Sequence, residues 1–467
     1  MDASAKLLLY IFISESLGNN LVDVKTDWAF EQSDHAAVRL EFKFLNTIEK
    51  GPGLPKINTN ILEDPSTKVN IEKELSEQLN QIPNEWNPHV KLEFMKVIIR
   101  SAFAQQTSIR KNLLKADIVE TESALNDIEK FKVETMIKNG IGTEQQVIDI
   151  DIAKMGLKNK LESLRKQDSN LREFQGRSKW FEFGEKSNKH FFNLEKSREK
   201  QKLISVIEDE GIIYTGQKQI SQGIRNFYSK LYDEDKENTV SQEDDSFFDH
   251  CPSISGKQKD EMDREITLAE LEQALRSCKD SAPGNDGIPY SVYKHFWKIL
   301  GPVILNAWKY SVITGKMPSS HLETVISLLP KEGKNLKEIK NWRPIALSNC
   351  DAKIITKALA IRMSGVLDSV IDPSQTAYVK GRSVMDNIRS NLFLKKYCKD
   401  NKIDACLTSL DAKKAFDSVN HKYIDKVLTK YGFGEGFRRY FKVLYTDLKS
   451  KVMVNGYLTC WTEYQLV

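Results

Sequence analysis

The sequence predicts an α/β fold of the α+β kind, with strands, helices and a mixed region in successive stretches of the chain. Three observations carry that prediction. Residues 1–45 alternate apolar and polar side chains in short runs, as half-buried strands do. Residues 70–175 are highly charged and follow a helical period. Beyond residue 263, helical runs and short apolar strands are separated by dense turn clusters.

The bulk numbers fit such a chain. At 467 residues it is long enough for two to four domains, and 29% charged against 40% hydrophobic residues suits a globular protein with helical segments. A net charge of +4 is too slight to argue nucleic-acid binding, so any basic surface must be local. Cysteines at 251, 278, 350, 398, 406 and 460 form no C-x2-C pair, which indicates neither a zinc site nor a disulfide framework. No apolar run reaches transmembrane length. The N-terminal "AKLLLYIFIS" imitates a signal peptide, with Lys6 ahead of a short apolar stretch. Without a convincing small-residue cleavage site it reads as a buried strand.

Along the chain, "LLYIFIS", "LVDVKTDWAF" and "AAVRLEFKF" read as strands, the last with Val38, Leu40 and Phe42 on one face. The connector "KGPGLPKINTNILEDPS" is punctuated by proline and glycine. In the helical stretch, Leu157, Leu161, Leu164 and Leu171 keep a heptad-like spacing that Asp168 interrupts, which predicts a helical hairpin packed on its own domain. "SQEDDSFFDHCPS" reads as an acidic loop. A capping box, Thr267 with Glu270, opens a helix that stops at the turn cluster "SAPGNDGIP". A helix through "YSVYKHFWKILGPVILNAWKYSVITG", a strand "TVISLLPK", the short strand "NWRPIAL" and a long helix "CDAKIITKALAIRMSGVLDSVI" follow. The strand "DACLTSLD" then delivers Asp411 at its C-terminal end.

That last strand carries the chemistry. A carboxylate at the end of a buried strand can hold Mg²⁺, and the carbonyl of Ala412 can add an oxygen. In a two-metal site one ion activates an attacking 3′-hydroxyl and the other steadies the leaving pyrophosphate. Phe416, five residues on, places a ring under the sugar of an incoming nucleotide. The alternative is an exposed aspartate at a strand end, with Phe416 in the core. Residues 172–202 interleave Arg177, Lys179, Lys186, Lys189, Lys196 and Arg198 with aromatic side chains, a pattern suited to single-stranded RNA. Part of that aromatic set is expected to pack internally.

Four ordered blocks, "SAPGNDGIP", "LLPKEGKN…NWRPIALSNCDAKIITKALAIRM", "IDPSQTAYVKGRSVMDNI" and "LTSLDAKKAFDSVNH", resemble the fingers and early palm of reverse transcriptases from non-LTR (LINE-type) retrotransposons. "RSKWFEFGEKSNKHFFNLEKSRE" is similar to the segment before that polymerase, "KGPGLPKINTNIL" to the connector after the endonuclease, and "SDHAAVRLEF" to the last strand of an apurinic-endonuclease-like domain. The resemblance implies five regions: an endonuclease remnant at 1–45, a linker at 46–70, a helical, basic-aromatic polymerase extension at 71–205, a connector at 206–262, and fingers with partial palm at 263–467. It implies Asp411 as first catalytic metal ligand and Phe416 as the gate against ribonucleotides. Arg343 is expected on the incoming triphosphate, since a guanidinium fork matches phosphate oxygens. Lys331 is a second candidate there, with a solvated turn lysine as the alternative. Arg382 is expected on template or nucleotide phosphate, or else in a surface salt bridge.

Two departures bear on activity. Asp34 and His35 stand in the family's S-D-H ending, but Leu9 occupies the place of the aspartate that orients such a histidine, so no endonuclease activity is expected. After "VMVNG", which resembles the strand leading into the next polymerase block, the glutamine–glycine pair and the Tyr-x-Asp-Asp hairpin of the family do not follow. One aspartate cannot bridge two magnesium ions. The expectation is an RNA-directed DNA polymerase by family, using Mg²⁺ (or Mn²⁺), RNA template, DNA primer and dNTPs, and inactive as this chain alone. The alternative is a catalytically dead RNA-binding remnant of a decayed element. A group II intron maturase or telomerase is disfavoured by the endonuclease-like N-terminus. The family implies a cytoplasmic ribonucleoprotein that reaches the nucleus, with no membrane partner.

Overall fold

The alternating segments near the N-terminus pair with each other: β1 (Leu21–Asp27) and β2 (Ala37–Phe42) form an antiparallel ladder with Val24 opposite Leu40 and Thr26 opposite Val38. The computed structural model describes residues 21–27, 37–42, 51–138, 144–176, 203–231, 245–412, 415, 419–460 and 462–463. The first apolar run, "LLYIFIS", and the loop "SQEDD" lie outside the described residues.

The stretch expected as a linker is built into the protein. Residues 51–64 run as a strap whose Ile57, Ile61 and Leu62 are buried. Gly51 and Gly53 donate to the carbonyls of Asn455 and Gly456, and Ile57 donates to that of Gly287 at 3.0 Å. The strap ends in α1 (Pro65–Gln81), for which Asp64 is the N-cap, accepting from the amides of Ser66 and Thr67, with Pro65 at the first helical position. Those hydroxyl and amide donors hold the Asp64 carboxyl down to about 2.

Helix α2 (Pro88–Lys138) has 51 residues and so extends about 77 Å at 1.5 Å per residue. Its first half presents Leu92, Met95, Ile99, Ala102 and Phe103 inward at helical spacing. Its second half packs against α3 (Glu144–Gly176), with Leu157, Leu161 and Leu164 half-buried and Arg165 bonded to Glu122 at 2.9 Å, an internal hairpin as expected. A small hairpin that the sequence did not announce follows: β3 (Val206–Asp209) and β4 (Ile212–Thr215) around Glu210 and Gly211, both at positive φ. Helix α4 (Gln217–Leu231) covers it.

The capping box forms as expected: Glu270 donates its amide to Thr267 Oγ1 while its carboxylate accepts the Thr267 amide, opening α5 (Leu268–Ser277). The long helix expected after "SAPGNDGIP" is instead two, α6 (Tyr290–His295) and α7 (Trp297–Thr314), because Phe296 leaves the helical region at φ −113°, ψ 28°. A short α8 (Ser319–Leu322) leads into the sheet. There β5 (Glu323–Pro330) pairs antiparallel with β6 (Trp342–Leu347), and Leu329 faces Arg343. Helix α9 (Cys350–Ser364) stops at Gly365, shorter than the sequence suggests. Helix α10 (Val384–Asp400) has no buried residue. Two further helices, α11 (His421–Lys430) and α12 (Glu435–Tyr445), return the chain to β7 (Lys449–Val454), which adds parallel to β5. Asn455 and Gly456, both at positive φ, turn β7 into β8 (Tyr457–Leu458), the backbone that an Asn-Gly hairpin demands.

Two cores result. The larger gathers α1, the first half of α2, α5 to α7, α9 and α12 around Phe103, Tyr293, Phe296, Trp308 and Ile354. The smaller lies between α4 and the sheet, around Tyr228, Ile326, Trp342 and Val452. One expected strand is missing. Residues 403–412 are irregular and exposed, with Leu410 at 91% accessibility. A strand is stabilised by cross-strand neighbours and burial, and no described strand pairs with this segment.

Candidate active site and a buried ion network

The candidate catalytic group, Asp411, stands at the end of this irregular segment, exposed, next to an equally exposed Ala412. No ion pair or hydrogen bond engages its carboxylate among the described residues. Phe416, Asp34, His35, Arg177, Lys179, Lys186, Lys189, Lys196 and Arg198 lie outside the described residues. Among the described residues no group of three His, Cys, Asp or Glu side chains is placed to hold a metal ion. One carboxylate and one carbonyl do not by themselves fit a two-metal centre. No step through a metal is therefore assigned to them.

The three basic candidates divide. Arg343 sits on the outer strand β6 with its side chain exposed, because the strand's alternation turns Trp342 into the smaller core and Arg343 away from it. It has no ion pair among the described residues and is available to a phosphate. Lys331 is occupied: its amine donates to the carbonyl of Lys340 at 2.7 Å and its amide to that of Asn341, so it closes the β5–β6 connection. Arg382 is occupied more fully. It donates from Nη1 to the carbonyls of Asp372 (2.6 Å) and Gln375 (2.9 Å), and from Nη2 to that of Ile371 (2.9 Å) and to Asp368 Oδ1 (3.2 Å). The surface salt bridge proposed as its alternative is present. The guanidinium also organises the loop at 371–382 through three carbonyls, so the conformation described leaves it little capacity for phosphate.

The sequence gave no sign of a buried ion network beneath the first two blocks. Lys96, on the inward face of α2 and 2% exposed, meets Asp351 Oδ2 at 2.6 Å, Ser320 Oγ at 2.6 Å and Asp286 Oδ2 at 3.2 Å. Asp351, at the start of α9, also takes a hydrogen bond from His321 Nε2 at 2.7 Å. A carboxylate only accepts, so Nε2 carries the hydrogen. Asn349 ties the group together: its Oδ1 accepts from the amide of Asp286 and its Nδ2 donates to the carbonyl of Ser320. Asp286 Oδ1 accepts the amide of Ile288, fixing the turn of "SAPGNDGIP".

The electrostatics divide the two aspartates. Burial opposes ionisation of Asp351, yet His321 and Lys96 together hold its carboxyl well below the usual range. Burial pushes the Asp286 carboxyl up; Lys96 opposes that and the charge on Asp351 adds to it. Lys96 is held above the ordinary lysine value, because the two aspartates outweigh a larger single cost of burial. One lysine thus serves one fully ionised carboxylate and a second, harder to ionise. The network joins α2 to the turn at 284–287, to α8 and to α9. Asp286 and Asp351 lie in blocks the sequence marked out, whereas Lys96 in "FMKVIIR" has no local signal.

Residues 329–463, which hold β6, α10, Asp411 and the sheet's last strands, match the family described as Reverse transcriptase (RNA-dependent DNA polymerase). That sets the class: a polymerase domain that copies RNA into DNA. The chain is 34% identical over 277 residues to a transposon TX1 uncharacterized 149 kDa protein of Xenopus laevis, covering 59% of this chain and 21% of that protein. It is 26% identical over 194 residues to a retrovirus-related Pol polyprotein from the type-1 retrotransposable element R2 of Popillia japonica, covering 41% of this chain and 26% of the relative. A Drosophila melanogaster Pol polyprotein from the type-2 element R2DM is 26% identical over 220 residues, covering 46% and 20%. The chain belongs to the reverse transcriptases of non-LTR retrotransposons. It spans between a fifth and about a quarter of the length of these relatives.

Proposed function

We propose that the chain is part of an RNA-directed DNA polymerase that adds deoxynucleotides to a DNA 3′ end on the RNA of its own element. The observation that carries this is the family match over residues 329–463, which takes in Arg343 and Asp411 together. In this reading Asp411 and the Ala412 carbonyl are donors to Mg²⁺ or Mn²⁺, Arg343 receives the triphosphate and Phe416 lies under its sugar. The basic residues from Arg177 to Arg198 track the RNA. Lys331 and Arg382 act from behind, holding the loops on which such contacts are made. Asp34 and His35 have no cleavage role. The protein works as a cytoplasmic ribonucleoprotein that reaches nuclear DNA.

The described donors number one carboxylate and one carbonyl, so we propose further that this chain alone does not polymerise. Asp411 needs its segment paired as a strand and other carboxylates brought beside it. The exposed, irregular course of residues 403–412 also favours a second reading, an RNA-binding module without catalysis. Primer extension on an RNA template with Mg²⁺ separates the two. A longer version of the chain carrying the family's later blocks is expected to extend a DNA primer, and its Asp411→Asn variant is not. Extension by the Asp411→Asn variant at the parent rate rejects the polymerase assignment of Asp411. Salt-sensitive RNA binding with no extension by the longer chain selects the binding module.

A further inference from the structure

A cavity of about 430 Å³ opens between the strap at residues 55–58 and α2, well inside the size range of ligand sites. Its long wall is a single face of α2, with Arg100, Phe103, Thr107 and Lys111 spaced three or four residues apart. Its opposite wall is the strap, with Lys56 beside Ile57. Asp286 closes one end, and there Arg100 also borders a second cavity of about 180 Å³ that reaches Lys96. The two cavities adjoin along the same helix face.

The charge in this space is one-sided. Lys56, Arg100 and Lys111 line the larger cavity, and its one acidic residue, Asp286, already faces Lys96 at 3.2 Å. No carboxylate among the described residues pairs with Arg100 or Lys111. Between these cations the lining is apolar, from Ile57 and Phe103, with the hydroxyls of Thr107 and Ser108 on the α2 side. Cations to track phosphates, apolar surface for a base and hydroxyls for a ribose form the combination that binds single-stranded RNA. A free anion would leave the apolar lining unused.

The walls are also fixed in advance. Gly287 has φ +72° and a Cβ there would lie 2.5 Å from the carbonyl oxygen of Pro55, so the turn and strap touch backbone to backbone. The Ile57 amide bonds to the Gly287 carbonyl, and Asp286 is held by Asn349 and Lys96. A site that is ordered before its ligand arrives loses less entropy on binding.

We infer that the cavity between the strap and α2 is a binding site for single-stranded RNA, separate from the basic segment at 177–198 and from the Asp411 region. Binding requires neither metal nor nucleotide, so its test is independent of polymerisation. Fluorescence anisotropy of the full chain with a labelled single-stranded RNA oligonucleotide of mixed sequence reads it directly. The double variant Arg100→Ala/Lys111→Ala is expected to bind at least about tenfold more weakly, with a log–log salt slope shallower by about 0.7 for each cation removed. Ala104→Trp keeps every charge and fills the cavity, and is expected to weaken binding similarly. Lys158→Ala/Lys160→Ala, on exposed positions of α3, is the control and is expected to bind as the parent does. Unfolding midpoints of all variants show that the fold is kept. Parent-like binding by Arg100→Ala/Lys111→Ala or by Ala104→Trp, equal weakening by the control, or equal affinity for single-stranded DNA of the same sequence each overturns the assignment. Loss of primer extension with these affinities unchanged counts against the site as well, and leaves the polymerase reading untouched.

Discussion

Asp351 and Asp411 both end or begin elements in blocks that the sequence singles out, and the protein treats them in opposite ways. Asp351 is fully buried, bonded to Lys96 and His321, and its carboxylate cannot leave that arrangement without stranding a buried lysine. Asp411 is exposed on an irregular segment that follows α10, a helix with no buried residue and with Leu392 and Phe393 turned outward. The comparison teaches where this chain invests its order. The region around Lys96 is a preorganised scaffold, and the region around Asp411 is a surface whose chemistry depends on what it is placed against.

Four changes break or sharpen that contrast. The largest effect is expected from Lys96→Met, which leaves Asp351 and Asp286 buried without their cation. Breaking a buried pair by removing one partner costs about 3–5 kcal/mol, read as a lower urea midpoint. The triple replacement Lys96→Met/Asp286→Asn/Asp351→Asn removes all three charges and is expected to recover part of that loss. A single variant as stable as the parent would mean that the network adds nothing to the fold.

Next is Gly287→Ala. The residue must hold φ +72° with a Cβ driven toward Pro55, and backbone strain of this kind costs about 1–3 kcal/mol. The loss should appear with increased proteolysis at residues 51–58, since the strap is what the turn supports.

The third is a change of slope with pH. The folded value of Asp286 is raised, so between the ordinary carboxylate value and that raised value the native state holds the extra proton. Stability from this group therefore falls as pH rises through the window. Asp286→Asn keeps the Oδ1 acceptor for Ile288 and is expected to abolish that fall. Asp351 has the opposite sign. Its stabilisation is full above the ordinary carboxylate value and is lost as pH drops toward its lowered folded value. Urea midpoints measured from acid to neutral pH separate the two, and an unchanged pH profile in Asp286→Asn would remove Asp286 as the source.

The smallest effect is expected from Asp411→Ala. An exposed side chain without partners changes stability by less than about 0.5 kcal/mol. The same change in a chain competent for polymerisation should abolish primer extension. A large loss of stability would show that Asp411 has a structural partner.

Much of the fold was legible. Alternation at Val38, Leu40 and Phe42 gave β2, the Thr267–Glu270 pair gave the start of α5, and "VMVNG" gave β7 up to its turn, each through contacts within a few residues. The buried network was not legible, because Lys96 and Ser320 are 224 residues apart and meet only after α2 has docked on α8 and α9. In sequence, Lys96 is one charge in a helix full of charges. Arg382 and Lys331 were legible as basic residues in turns, but not their carbonyl partners. The strand expected before Asp411 marks the limit from the other side: its composition favours β structure, and composition cannot supply a neighbour.

By itself the sequence determined the family, through ordered blocks whose residue types suit metal, phosphate and turn chemistry, and most elements that close their hydrogen bonds locally. Only the tertiary structure decided which charges are buried together, which basic residues are spent on the backbone, and where a cavity with unspent cations remains. Burial and pairing depend on residues far apart in the chain, and the free energy of a charge is set by what surrounds it.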